Sequence, residues 1–196
     1  MKKYSGLQIL NEMVPLAQEY GSPLHPAIFF KHLFYIETLM YLFLGNSSER
    51  MIKDSVIIVP WGINYPEMHN LLKCFGQKTI HFQITMDVPD MDGSYNGKKI
   101  MPFVEETHVK KFIKDYYSQA HTLTNDQLIK IITETDTTPY FFAKKAGEKY
   151  TISDKHFREC SAVMLKTMKI NNEKKEILDN LENQNSNIID RIKKRL

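Results

Sequence analysis

Between Pro26 and Gly45 the chain sets Ile28, Phe29, Phe30, Leu33, Phe34, Ile36, Leu39, Met40, Leu42, Phe43 and Leu44. The spacing predicts a helix that is apolar on most sides. Pro26 suits its first turn and Gly45-Asn46 its end. A helix like that is central to a core, so the rest of the chain must be built round it. A Phe/Met stripe at this spacing reads as core rather than as a cofactor box.

The 196 residues fit one domain, or one domain with an appendage. The composition, 42% hydrophobic and 25% charged, is that of a globular protein. No run of about 18 or more apolar residues exists, so no membrane span is expected. The basic start, Met1-Lys2-Lys3, leads into no apolar stretch with a small-residue cleavage site. Cys74 and Cys160 are too few for a disulfide framework or a zinc knuckle. They are expected as buried or half-buried thiols in a reducing cytoplasm. A net charge of +3 is too small to argue for nucleic acid alone.

Around the central helix the remaining elements fall into place by period and punctuation. Leu7, Leu10, Met13, Val14 and Ala17 predict a first helix, capped by Ser5 and ended by Gly21. Pro15 lies inside it and predicts a kink or early break near Val14. Ser55 to Val59 reads as a strand broken by Pro60-Trp61-Gly62, with a helix from Pro66 to Gly76 after it. Ile80, Phe82, Ile84 and Met86 alternate with polar residues, and Lys99-Ile100-Met101 can return as a partner strand. A hairpin whose tip holds Asp90 to Gly97 is the simplest reading. Its Asp-x-Asp-Gly piece fails as a calcium loop, because Lys99 stands where an acidic ligand is needed. Val104 to Ser118 predicts a helix, and Thr124 with Gln127 forms a capping box for another. Pro139 to Gly147 reads as a short aromatic helix, Tyr150 to Ile152 as a small strand, and Ser153 as the cap of a helix through Met168.

Beyond Asn172 the chain becomes rich in Lys, Glu and Asn. Leu178, Leu181, Asn185, Ile188 and Ile192 follow a short heptad seam with one polar core position. This tail either packs on its own domain or pairs with a second copy as a homodimer. The expected fold class is mainly α: a compact helical domain over 1–165, with a small β-hairpin or sheet, and a charged C-terminal helix over 166–196.

Chemistry-bearing motifs are sparse. There is no Gly-x-Gly-x-x-Gly, Walker or Gly-x-Ser-x-Gly sequence. The seven histidines are scattered, with no pair at helical metal spacing. No cofactor, metal or catalytic residue is therefore expected. Lys110-Lys111-Phe112-Ile113-Lys114 and Arg191-Ile192-Lys193-Lys194-Arg195 are basic clusters. Phosphate contact through Arg191, Lys193, Lys194 and Arg195 is one reading of the second; favourable helix-end charge is the other.

Lys31-His32-Leu33-Phe34-Tyr35-Ile36-Glu37, then a strand, then Trp61-Gly62-Ile63-Asn64-Tyr65-Pro66-Glu67-Met68, resembles the Panacea domain. That family of antitoxins, adaptors and phage-associated proteins carries a Lys-Leu-Leu-Tyr-Phe helix, a strand, and an aromatic-Gly-Pro-Val-x-Pro-Glu-Val-Tyr stretch. Lys31, Leu33, Phe34 and Tyr35 lie on the first motif, and Trp61, Gly62, Pro66, Glu67 and Met68 on the second. Ile63 replaces the family's second-motif proline, and Glu134 or Asp136 stands where its Thr-His motif has histidine. The resemblance covers roughly 5–165 and implies a helical domain that binds another protein rather than catalyses. Trp61, Tyr65, Tyr95 and Tyr140 are the candidate aromatic anchors for such a partner. The expected function is a cytoplasmic, non-enzymatic, antitoxin-like neutraliser or adaptor acting by stoichiometric binding. A phage-encoded anti-defence inhibitor, like an anti-CRISPR protein, and a nucleic-acid binder using the basic tail are the alternatives.

Overall fold

The computed structural model of the chain describes residues 3–43, 50–59, 62–89, 95–128 and 150–151. The hairpin tip at 90–94, the aromatic helix with Tyr140, Cys160, the helix from Ser153 and the whole charged tail lie outside them, as does Trp61.

Four helices are described: α1 (Gly6–Glu19), α2 (Pro26–Phe43), α3 (Pro66–Leu72) and α4 (Thr107–Ala120). A three-residue 3-10 turn, Lys73–Phe75, extends α3. The strands are β1 (Ile57–Val59), β2 (Gly62–Asn64), β3 (Met86–Pro89), β4 (Tyr95–Ile100) and β5 (Tyr150–Thr151). They form two antiparallel sheets, one ordered β2-β1-β5 and one a β3-β4 pair. The described residues are thus helix-rich with small sheets, as the patterning predicts. Among them no helix is long and apolar enough to cross a membrane.

α2 is the centre. Every residue from Phe29 to Thr38 is buried, on all sides of the helix. Leu7, Leu10, Met13 and Val14 of α1 and Val109, Phe112, Ile113 and Tyr116 of α4 share one buried core cluster with it. Where α1 begins, Gly6 lets the helices approach closely. A Cβ there would lie 2.9 Å from Met68 Cγ and 3.0 Å from Leu33 Cδ2. Ser5 caps α1 in a full capping box with Gln8.

Several expectations need correction. α1 does not break at Val14; it continues past Pro15 to Glu19. Gly62 does not turn a strand directly into a helix. It opens β2, which folds back on β1 with Val59 opposite Gly62. Its φ of +152° is a conformation that a side chain disfavours. Residues 79–85 alternate as a strand would, yet only Met86–Pro89 joins a ladder. α4 starts at Thr107 rather than Val104, although Val104 is buried. Cys74 is exposed, not buried. The small strand at Tyr150–Thr151 is present and pairs with β1.

Candidate protein-binding surface

Polar groups on so apolar a helix as α2 must find partners. Glu37 is wholly buried and accepts from Arg50 Nε at 2.6 Å, Arg50 Nη2 at 2.9 Å and the Tyr65 hydroxyl at 2.9 Å. Burial pushes its carboxyl upward from the ordinary range, while Arg50 and the Tyr65 hydroxyl oppose that push. Arg50 also donates to the Asp54 carbonyl, and the Asp54 carboxylate accepts from Gly6 N at 2.6 Å. A negative group at the start of α1 is where the helix dipole favours it. This chain of bonds clasps the start of α1, the middle of α2 and Tyr65, the residue before α3. Tyr65 is therefore a core residue and not the surface anchor that its motif suggests.

A second buried set joins α2 to α4. His32 Nδ1 and the Tyr116 hydroxyl are 2.9 Å apart, and the Tyr35 hydroxyl donates to the Leu128 carbonyl at 2.9 Å. Burial, then the charge of Lys31, pushes the His32 pKa down to about 4. Lys31 is itself buried and donates to the Ala27 carbonyl at 3.0 Å; burial pulls its pKa down, and Asp126 opposes this. Burial, then Lys31, also lowers the pKa of His25, whose Nδ1 is buried with no partner among the described residues. No group of three His, Cys, Asp or Glu among the described residues is placed to hold a metal.

The third polar centre lies on α1 and accounts for both the unbroken helix at Pro15 and the missing ladder over residues 81–84. A proline has no N–H, so Pro15 cannot donate to the Asn11 carbonyl four residues back. The Gln83 amide does so instead, at 2.8 Å. The Asn11 side chain, wholly buried, accepts from Ile84 N at 2.8 Å. It donates to the Ile84 carbonyl at 2.8 Å and to the Pro102 carbonyl at 3.1 Å. Gln18 reaches the His81 carbonyl, Gln8 the Phe103 carbonyl at 2.8 Å, and Glu12 accepts from Val104 N at 3.1 Å. Residues 81–84 and 102–104 thus bond to the polar side chains of α1 rather than to each other as strands. This satisfies backbone groups that a ladder would otherwise take up.

Asn11 holds the two arms of the hairpin together at its base. Phe82 and Met86 lie two residues either side of Ile84, and Ile100 and Phe103 lie two before and one after Pro102. All four are exposed: Phe82 62%, Ile100 51%, Met86 44% and Phe103 37%. Met86 and Ile100 are directly paired across the ladder, so they share one face of it. Phe75 meets Phe82 with ring centroids 5.6 Å apart, and Leu71 is exposed one turn before it. Lys110 lies over the Phe103 ring at 5.9 Å, a cation–π distance, and pairs with Glu12 at 3.8 Å. Exposed Phe and Met side chains beside a fixed polar anchor are residue types enriched in protein interfaces.

Of the four candidate anchors, the structure places Tyr95 on β4, in this hairpin, and Tyr65 in the core. Trp61 and Tyr140 lie outside the described residues, as do Arg191, Lys193, Lys194 and Arg195. Ile80, Phe82, Ile84 and Met86 alternate with polar residues, yet the chain bends at Phe82, and of the four only Ile80 is buried, with Ile84 partly so. Compared with known proteins, the chain matches no family model, no curated protein and no solved structure.

Proposed function

We propose that this chain is a protein-binding module, an antitoxin-like neutraliser or adaptor that inhibits its partner by stoichiometric binding. The observation that carries the proposal is the exposed set Phe82, Met86, Ile100 and Phe103, held round the Asn11 anchor. A fold gains nothing by fixing large apolar side chains in water; they gain when a partner covers them, at about 25 cal/mol per Å². The resemblance to the Panacea domain supports the same class of function. A phage-encoded anti-defence inhibitor would use the surface in the same way, and the partner's identity separates the two.

The test is quantitative capture from the native host, with and without phage, using the full chain and a Phe82→Ser/Ile100→Ser variant. Both positions are exposed, so the variant is expected to fold. The expected result is one protein retained near one-to-one by the natural chain and lost from the variant. Equal retention by both chains, or catalytic transformation of a substrate by the purified protein, would overturn the proposal.

A further inference from the structure

Gln8, Asn11, Pro15 and Gln18 recur at three- and four-residue spacing, so they form one stripe along α1. Gln18 reaches the His81 carbonyl, Asn11 both backbone groups of Ile84 and the Pro102 carbonyl, and Gln8 the Phe103 carbonyl. Pro15 supplies no N–H to the Asn11 carbonyl, and Gln83 takes that acceptor instead. The hairpin's two arms, 81–89 and 95–103, are thus fastened to α1 through side-chain bonds.

Burial adds little to this hold. Among the described side chains from 81 to 103 none is buried, whereas Ile80 and Val104, just outside the arms, both are. Among the described residues, the backbone-to-backbone bond that ties this region to the rest of the fold lies at its margin, from Ile80 N to the Leu24 carbonyl at 2.8 Å. Segments with few buried contacts open at a lower cost than the core. The arms pair with each other over β3 and β4, and a two-stranded pair is marginal alone. Once off α1, the ladder opens too.

We propose that the two arms are a strap that lifts from α1 as one unit while the helical core stays folded, and that Pro15 keeps a docking point for it on the helix. The strap and the helix compete for one acceptor, the Asn11 carbonyl. Pro15→Ala gives that carbonyl a helical donor, which strengthens the fold but weakens the Gln83 bond that holds the strap. Lifting parts Phe82 from Phe75 and Phe103 from Lys110, so the surface proposed above exists only with the strap down. That consequence rests on the protein-binding reading; the strap itself does not.

Native-state hydrogen exchange of the full chain at low urea tests the strap without a partner. The amides of Ile84, Val104 and the β3–β4 ladder should share one opening, more frequent than that of α2. In Pro15→Ala the urea midpoint should rise while those same amides exchange roughly fivefold faster. Gln18 is exposed and bonds at the 81 end alone, so Gln18→Ala keeps the fold and should speed Val104, in the other arm, as much as Ile84. Arms that slow in step with the raised midpoint of Pro15→Ala, or that do not change, would overturn the proposal. So would arms that open only with α2, or a Gln18→Ala effect confined to the residues beside His81. A bound partner should slow exchange in both arms; exchange indifferent to a bound partner would overturn the link to the surface and leave the strap standing.

Discussion

Pro15 sits inside a helix that does not break, and the Gln83 side chain supplies the donor that the proline lacks. Substituting Gln83→Ala leaves the Asn11 carbonyl, on a wholly buried residue, without its donor. An acceptor stranded in this way costs about 1–2 kcal/mol. Pro15→Ala acts on the same carbonyl from the other side, by restoring the N–H four residues on. An interior proline costs about 3 kcal/mol against alanine, and the Gln83 bond already offsets about 1 kcal/mol of it. Pro15→Ala alone should therefore stabilise by about 2 kcal/mol. With alanine at 15 the carbonyl is satisfied within the helix, so Gln83→Ala should then cost about 0.5 kcal/mol or less. The coupling of about 1 kcal/mol exceeds the roughly 0.3–0.5 kcal/mol scatter of independent sites. Urea midpoints of the four chains, followed by far-ultraviolet circular dichroism, give the cycle directly. In melting temperature each kcal/mol corresponds to about 2–4 °C for a chain of this size. If Gln83→Ala costs the same with proline and with alanine at 15, Gln83 is not what sustains the helix.

Three further outcomes follow from the same geometry. Asn11→Ala removes bonds to three backbone groups and should cost about 2–4 kcal/mol; hydrogen exchange should quicken at Ile84 and along β3 and β4, and unchanged exchange there would refute the anchoring role. Tyr65→Phe removes one donor from the buried Glu37 carboxylate and should cost about 1–2 kcal/mol while leaving partner affinity unchanged; a large loss of affinity with normal stability would return Tyr65 to the interface. His32, held neutral by burial with a pKa near 4 against 6.5 unfolded, binds fewer protons folded than unfolded between those values. Its contribution, about 3 kcal/mol, is fully present above pH 6.5 and lost as pH falls towards 4; denaturation of the natural chain and His32→Asn at several pH values should show a shallower slope in the variant, where His25 still contributes, and equal slopes would refute the assignment.

The helices were legible because each has its own local signal. Ser5 with Gln8, Pro26, Pro66 and Gly76 mark ends, and the apolar run of α2 announces its central place. The sheets were less legible. β2 is three residues long and hides in a segment whose prolines and Gly62 suggest a break. Residues 79–85 carry the period of a strand, but their backbone bonds go to Asn11 and Gln18 on α1, and no local pattern records a bond from so far away. The polar centre of α2 was half visible. Glu37 in an apolar helix demands a partner, yet nothing near it names Arg50 or Tyr65. The candidate surface was hidden for the opposite reason, since Phe82 and Met86 have the spacing of core residues. A bend at Phe82 and the anchor at Asn11 turn them out to solvent.

The central claim is that the surface round the Asn11 anchor binds a protein one-to-one. Calorimetric titration of the captured partner into the natural chain and into Ile100→Ser tests it most directly. The account predicts a stoichiometry near one and an affinity weakened roughly tenfold or more by loss of one well-covered apolar side chain. An unchanged affinity, with the variant folded, would contradict it.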